Sequence, residues 1–231
     1  MTTKELSETI RTIAQDAGAE LVGFTPVDKL EAEAPTGHKP SNLLPNAQSI
    51  VVLAGGNKLN EDRHYVREIG SLSTMTHIEL KNSVKLERRR TRTCIQAVYD
   101  FLIKQGYHAA VETHGWYDTL SFKQAALHAG LGVIGRGTFI IHPEYGTINV
   151  LACIVTNARL TYDQPLDMDL CKDCVICIQA CKYGTYRKRG DIFEWNGGRC
   201  RFYNIIHTGN GTITTYGPCN GDCINFCPMG R

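Results

Sequence analysis

"CKDCVICIQACKYG", residues 171–184, sets four cysteines within eleven positions. Cys171, Cys174 and Cys177 are separated by two residues each, and Cys181 follows after three more. This is the spacing of bacterial ferredoxins. Three thiolates so placed on a looping backbone wrap three corners of a [4Fe–4S] cube. The fourth corner needs a remote cysteine, while Cys181 points toward a second cube. The stretch "CNGDCINFCPMGR", residues 219–231, supplies Cys219, Cys223 and Cys227, with Pro228 after the last of them. Cys200 lies between the two sets.

The eight thiols divide into Cys171, Cys174, Cys177 and Cys227 for one cluster, and Cys181, Cys200, Cys219 and Cys223 for the other. This crossed pairing would close the last residues onto the earlier run and hold a segment poor in apolar periodicity, because metal-binding energy is folding energy. Two zinc sites would also use eight thiolates, but the three-cysteine run disfavours them. Disulfides are disfavoured in a reducing compartment. Cys94 and Cys153 sit in apolar helix and strand patterns and read as small buried hydrophobes. Lys182 stands where ferredoxins commonly carry proline. Proline there shapes a turn and is not a ligand, so the ligation reading survives.

A chain of 231 residues suits one large domain, or one with an appendage. A formal charge of +2 argues neither for nor against a nucleic-acid partner. No apolar run is long enough to span a bilayer. "MTTKELSETIRTIAQDAG" lacks the basic head and apolar middle of a signal peptide, so a cytoplasmic location is expected.

Thr2 and Glu5 fit a capping box, followed by a helical face of Leu6, Ile10, Ile13 and Ala17 that stops near Gly18. "AELVGFTPV" reads as a strand ending near Pro26. Residues 29–46, with Pro35, Gly37, Pro40 and Pro45, read as an ordered loop or lid. "SIVVLAGG" reads as a buried strand. A long helix is expected from about Thr74 to Gln105, with Ile78, Val84, Cys94, Ile95, Val98, Leu102 and Ile103 on its apolar stripe. "YHAAVET" supplies a strand. Ser121 caps a short helix through His128, stopped at Gly130. "GTFIIHPEYGTINVLACIVTN" reads as two strands joined around "HPEYG". Helix and strand alternate to about residue 165, giving an α/β core over 1–165 and a cysteine-rich module over 166–231.

Residues 125–163, "AALHAGLGVIGRGTFIIHPEYGTINVLACIVTNARLTYD", followed by the cysteine sets, resemble epoxyqueuosine reductase and its relatives, the corrinoid-dependent reductive dehalogenases. "AQDAGAELVGFTPV" and "LLPNAQSIVVLAGG" are similar to the same family. The resemblance implies a nitroreductase-like, cobalamin-binding α/β core followed by a two-cubane ferredoxin-like module. It implies that electrons pass through two [4Fe–4S] clusters to the cobalt, which reduces an organic substrate by two electrons. The family's crossed ligation matches the division of cysteines above. Its cofactor-side loop maps onto Gly130, Leu131, Gly132, Ile134, Gly135, Arg136 and Thr138, and the following hairpin onto His142, Pro143, Gly146 and Leu151.

The chain departs from that pattern. Epoxyqueuosine reductases carry an acidic proton donor in a D-S-x-P stretch; "HGWYDTLSFK" puts Trp116 there, with Asp118 two places away and no matching proline. The sequence stops four residues after Cys227, without the helical repeats that help those enzymes hold tRNA, and it has no twin-arginine leader. It therefore resembles a minimal relative, with neither family substrate assigned.

From the residues alone, His114, Tyr117 and Asp118 are the candidate catalytic group, placed with Trp116 to donate a proton and stack on a flat substrate; a surface polar loop explains them equally. The glycines of 130–137 can bring amides to a phosphate, or simply join helix to strand. Arg136 would pair with an anionic cofactor group or lie in solvent. His142 and Tyr145 are cofactor or turn residues, and His128 reads as a packing or hydrogen-bonding residue. The basic stripe of Lys81, Lys85, Arg88, Arg89, Arg90 and Arg92 would dock an acidic ferredoxin or be a solvated face. It carries no aromatic interleaving, so nucleic acid is not an expected partner.

The reading is an iron–sulfur oxidoreductase whose two clusters feed a bound cofactor, cobalamin ahead of flavin, for reduction of a small molecule, with ferredoxin or flavodoxin as donor. The alternatives are an electron-transfer or reactivating protein serving a redox partner protein, and a scaffold in which clusters only hold the end of the chain.

Overall fold

The computed structural model describes residues 1–55, 91–112, 120–148, 150–189, 192–196, 198–200, 206–207, 213–214 and 222–229. Helix α1, Thr3–Asp16, begins with the expected reciprocal cap: the Thr2 hydroxyl accepts from the Glu5 amide, and the Glu5 carboxylate accepts from the Thr2 amide. Leu6, Ile10 and Ala14 form its buried stripe, and the chain turns out at Gly18, whose φ of 101° favours glycine.

The main sheet contains β1 (Leu21–Pro26), β2 (Ser49–Gly55), β3 (Ala109–Glu112) and β7 (Val150–Thr156), in the order β1-β2-β7-β3. Helix and strand mix as the sequence alternation implies, and all three pairings in this sheet are antiparallel. Alternation along the strands divides the core. Val22, Phe24, Val51, Leu53, Ala152 and Ile154 face α1 and a helix over 91–104 that contributes Cys94, Ile95, Val98 and Leu102. Ile50, Val52, Ala54, Cys153 and Val155 face the opposite layer. That layer holds α2 (Val27–Glu33) and a helix at Phe122–His128.

Several sequence readings change in detail. The proline-rich segment is not all loop: α2 starts directly after Pro26, and α3 (Pro40–Leu43) carries Pro40 in its first turn, where no intrahelical amide is required. Of the long basic helix, the described part is 91–104, and Ile103 is exposed there rather than on the buried stripe. Residues 56–90, with Lys81, Lys85, Arg88, Arg89 and Arg90, lie outside the described residues. The stretch after "HPEYG" is divided. β4 (Val133–Ile134), β5 (Ile140–His142) and β6 (Gly146–Ile148) form a small antiparallel sheet, and β7 then enters the main sheet. Cys94 and Cys153 are buried, as their patterns imply, and burial pushes the Cys153 thiol far up.

Asp163 fastens the end of the core to β1. Its carboxylate accepts from the Phe24 amide at 2.9 Å, and its two oxygens share the Arg11 Nη2 donor at 3.0 and 3.1 Å. The Asp163 amide returns a bond to the Phe24 carbonyl at 3.0 Å. Arg11 also donates to the Val22 carbonyl and lies 4.8 Å over the Phe24 ring. Gly130, with φ of 69°, ends the Phe122–His128 helix against this same segment; a Cβ there would come to 2.5 Å from the Gln164 carbonyl oxygen.

Gly23 on β1 joins the layers. A Cβ at Gly23 would lie 2.1 Å from Leu131 Cδ1 and 2.3 Å from the Ala129 carbonyl oxygen. The second contact is backbone and cannot rotate away. Gly23→Ala is therefore expected to destabilise the protein by about 1–3 kcal/mol, read as a lower denaturation midpoint at unchanged m-value. An unchanged midpoint would show that the layers part freely here.

Candidate metal centre

The run from Asp169 to Cys181 is shaped by local hydrogen bonds. The Asp169 carboxylate accepts from the amides of Lys172, at 2.9 Å, and Cys171, at 3.0 Å, which holds its pKa below the usual range. Lys172 takes a left-handed conformation, φ 40°, and the Cys174 amide closes the turn on the Cys171 carbonyl at 2.7 Å. A single helical turn, Ile176–Gln179, then carries Cys177 inward.

Cys171, Cys174, Cys177, Cys223 and Cys227 line one pocket, together with Gly137, Phe139 and Ile141; of these, Cys223 belongs to the second set in the division above. Two distant stretches of chain thus meet there. Burial, and then the neighbouring Cys227, Cys171 and Cys174, push the Cys177 thiol up to about 11. A metal centre held by these thiols would reverse that shift by deprotonating its ligands.

Cys181, Cys200 and Cys223 of the second set, with Cys177 of the first, act on Tyr186. Burial, followed by the charges of Cys223, Cys177, Cys181 and Cys200, drives its phenol far upward, so the hydroxyl stays protonated. It donates to the Gly137 carbonyl at 3.1 Å. Cys181 Sγ lies 3.0 Å from the Thr185 hydroxyl. Burial raises the Cys181 pKa, but the Thr185 hydroxyl and nearby amides outweigh it and the net shift is downward. Cys219 lies outside the described residues.

Among the described residues no cysteine forms a disulfide. Nor do three or more Cys, His, Asp or Glu side chains among them converge on a single ion. The thiols ring a pocket instead, and the donor set fits an iron–sulfur cluster: soft sulfur ligands, spaced around a volume, with backbone pressed close. A Cβ on Gly135 would sit 3.2 Å from Cys171 Sγ, and one on Gly137 3.3 Å from Cys177 Sγ.

That contact defines what the glycine loop does. The Arg136 amide donates to Cys171 Sγ at 3.3 Å, and its guanidinium donates to the Lys172 carbonyl. The amides of Gly130, Leu131, Gly135 and Thr138 bond to Leu127, Ala126, Phe139 and Gly135 carbonyls respectively. Those donors are already used, so these positions offer no open amide cradle for a phosphate or corrinoid amide. Gly132 lets the chain pass the Ile141 carbonyl, where a Cβ would come to 2.6 Å. Leu131 is buried, Ile134 is exposed, and Thr138 adopts a positive φ of 63°.

His142 stands at the β5–β6 turn. Its Nδ1 accepts from the Glu144 and Tyr145 amides, each at 3.1 Å, and its ring packs edge-on to Tyr145 at 5.0 Å. His128 bonds to the Glu33 carboxylate at 2.9 Å. Arg92 is exposed on its helix. His114, Trp116, Tyr117 and Asp118 lie outside the described residues.

Sequence reasoning did not single out Lys123, Tyr186, Phe139 or Trp195. Lys123 Nζ lies 5.6 Å from the Phe139 ring centroid and 5.5 Å from that of Trp195. Burial lowers its pKa, opposed by Cys200 and Cys223. Its only signal in the sequence was its position just inside the Ser121-capped helix.

No family model matches the chain. Comparison with curated proteins gives 29% identity to an epoxyqueuosine reductase of Staphylococcus aureus, over 82% of this chain and 54% of that protein. An epoxyqueuosine reductase of Bacillus subtilis is 27% identical over 87% of this chain and 55% of its own length. The chain is similar in sequence to epoxyqueuosine reductases over most of its length. It spans about half the length of the curated relatives it matches. An epoxyqueuosine reductase solved with an epoxyqueuosine-modified tRNA-Tyr stem loop superposes with a TM-score of 0.63 at 23% identity, over 98% of this chain and 65% of that one. A catabolic reductive dehalogenase superposes at 0.66 with 16% identity, over all of this chain and 32% of the other. The shared fold extends to both branches of the resemblance. No helix among the described residues is long and apolar enough to cross a membrane.

Burial lowers the His142 pKa, with Glu144 opposing. A base with a depressed folded pKa binds its proton more readily when unfolded. Its neutral form therefore stabilises the fold fully above the ordinary value of about 6.5, and this is lost as pH falls below it. The imidazole is expected to titrate below 6.5 by NMR, and His142→Asn to flatten the acid limb of the stability curve. Titration above the ordinary value would contradict this geometry.

Proposed function

We propose that the protein is an iron–sulfur oxidoreductase that passes electrons through two [4Fe–4S] clusters toward a cofactor on its core. The observation that carries this reading is the meeting of Cys227 with Cys171, Cys174 and Cys177 at one pocket. The spacing requires such a remote fourth thiol; four thiols would also suit a zinc ion, but the C-x2-C-x2-C run favours a cube. Cys171, Cys174, Cys177 and Cys227 would hold one cluster, and Cys181, Cys200, Cys219 and Cys223 the other. The clusters supply one-electron steps at low potential. The chain's own residues supply the enclosure: the glycine loop seals one side of the pocket, and Tyr186 bonds that loop to the module.

Cobalamin is the first candidate for the cofactor and flavin the second. Support for cobalamin comes from the neighbours, one of which was described in terms of B12-dependent dehalogenation. The bonded amides of the glycine loop do not fit a phosphate or amide cradle, so a corrinoid would have to be held by other residues of the core. Epoxyqueuosine within a tRNA is the first substrate to test, because the curated relatives carry that activity in their name and one neighbour was solved with the modified stem loop. Ferredoxin or flavodoxin would serve as the electron donor.

Anaerobic purification followed by metal, sulfide and corrinoid analysis tests the reading. About eight irons and eight sulfides per chain are expected, with reduced-state EPR of two interacting clusters. Cys174→Ser is expected to lose one of them. Addition of cobalamin to the loaded protein should change its visible spectrum. Zinc in place of iron after anaerobic isolation would defeat the cluster reading, and two clusters with no corrinoid or flavin bound would leave an electron-transfer protein.

A further inference from the structure

We propose that Arg136 is the positioning residue of one cluster, holding the Cys171–Cys174 turn from the core side and setting that cluster's potential apart from the other's. The inference rests on the two-cluster reading above.

Arg136 grips the turn twice. Its amide donates to Cys171 Sγ at 3.3 Å, and its guanidinium donates to the Lys172 carbonyl. The second contact lands where the turn is least relaxed, at the left-handed Lys172. The Asp169 carboxylate holds the amides of Cys171 and Lys172 and interacts with the Arg136 charge. The turn is thereby held through both its amides and a carbonyl.

The neighbours of Arg136 permit this approach. Gly135 has no room for a side chain: a Cβ would meet Ile141 Cδ1 at 2.3 Å and Cys171 Sγ at 3.2 Å. A Cβ on Gly137 would meet the Phe139 ring at 3.1 Å and Cys177 Sγ at 3.3 Å. Tyr186 fixes the far side of the arch through the Gly137 carbonyl. The amide and guanidinium contacts of Arg136 both go to the Cys171–Cys174 turn, which serves one ligand set.

An N–H donor and a fixed cation beside a ligand sulfur both favour the more negative, reduced cluster, and so raise its reduction potential. Removing the guanidinium leaves the amide in place but frees the Lys172 carbonyl and takes away the cation. Lysine restores the charge without the planar fork.

The test is a redox titration of the reconstituted full chain, followed by EPR, for the parent, Arg136→Met and Arg136→Lys. Arg136→Met is expected to keep its irons and to move one midpoint potential downward while the other holds. Arg136→Lys is expected to recover part of that shift. Selective loss of one cluster, with about four irons retained, would support the same assignment. If Arg136→Met does not fold, Arg136→Lys decides alone, through a smaller downward shift confined to one potential. Two unmoved potentials, or two that move alike, would overturn the inference while leaving the clusters established. A parent protein without iron–sulfur clusters would instead defeat the reading on which it rests.

Discussion

Residues 135–137 pass so close to the cysteine run that a Cβ would press on a sulfur at either glycine, on Cys171 Sγ at Gly135 and on Cys177 Sγ at Gly137. At Gly135 and Gly137 the distance from backbone to sulfur is set by the absence of a Cβ. Three contacts tie the cysteine-rich segment to this seam. The Cys171 sulfur accepts from the core, the Lys172 carbonyl is held by Arg136, and Tyr186 returns a bond to Gly137. The core in turn fixes the loop through Gly130, Leu131 and Gly132, which pack against the Gln164 carbonyl, Gly23 and the Ile141 carbonyl. A displacement of the sheet layers would therefore be felt at the thiols.

Much of the core was legible because its signals are local. The capping box at Thr2 and Glu5, the Ser121 cap and the apolar strands at 49–55 and 150–156 each follow from neighbouring residues. Strand order was not legible. The alternation of helix and strand says nothing about whether β7 lies between β2 and β3, nor that their pairing is antiparallel. The division of the 146–156 stretch between two sheets was hidden for the same reason, since both halves are apolar.

The meeting of Cys227 with the 171–177 run was legible because the C-x2-C-x2-C spacing calls for a remote fourth thiol. The role of the glycine loop was not, because glycine reports only that backbone must pass close to something. Spacing cannot say whether that something is a phosphate, a ring or a sulfur. Arg136 illustrates the point: solvent and an anionic cofactor were the natural partners, and a backbone carbonyl in the cysteine turn is the one found. Lys123 and Tyr186 carry no motif, and their importance comes from lying against two chain segments far apart in sequence. The net charge was silent for a different reason. A total of +2 averages the basic stripe of 81–92 with acidic residues elsewhere, so it could not weigh a nucleic-acid partner.

The module's burial pattern bears on why the thiols would need to be bridged. Among the described residues beyond 165, the buried apolar side chains are Cys177 and Cys227, while Met168, Ile176, Trp195 and Phe226 are exposed. Cys177 and Cys227 are also the thiols of the closure, so the small interior here is made of the proposed ligands. Apolar burial of two thiols offsets little of the conformational entropy of ordering the segment. Hydrogen bonds at Asp169, Thr185 and Tyr186 shape turns but each contributes only about 1 kcal/mol net. On the proposed ligation, most of the stabilisation comes from bonds to sulfur. A four-thiolate cluster joining Cys227 to the 171–177 run would close a long loop and supply an interior at once. Ligation and folding of this module would then be one equilibrium.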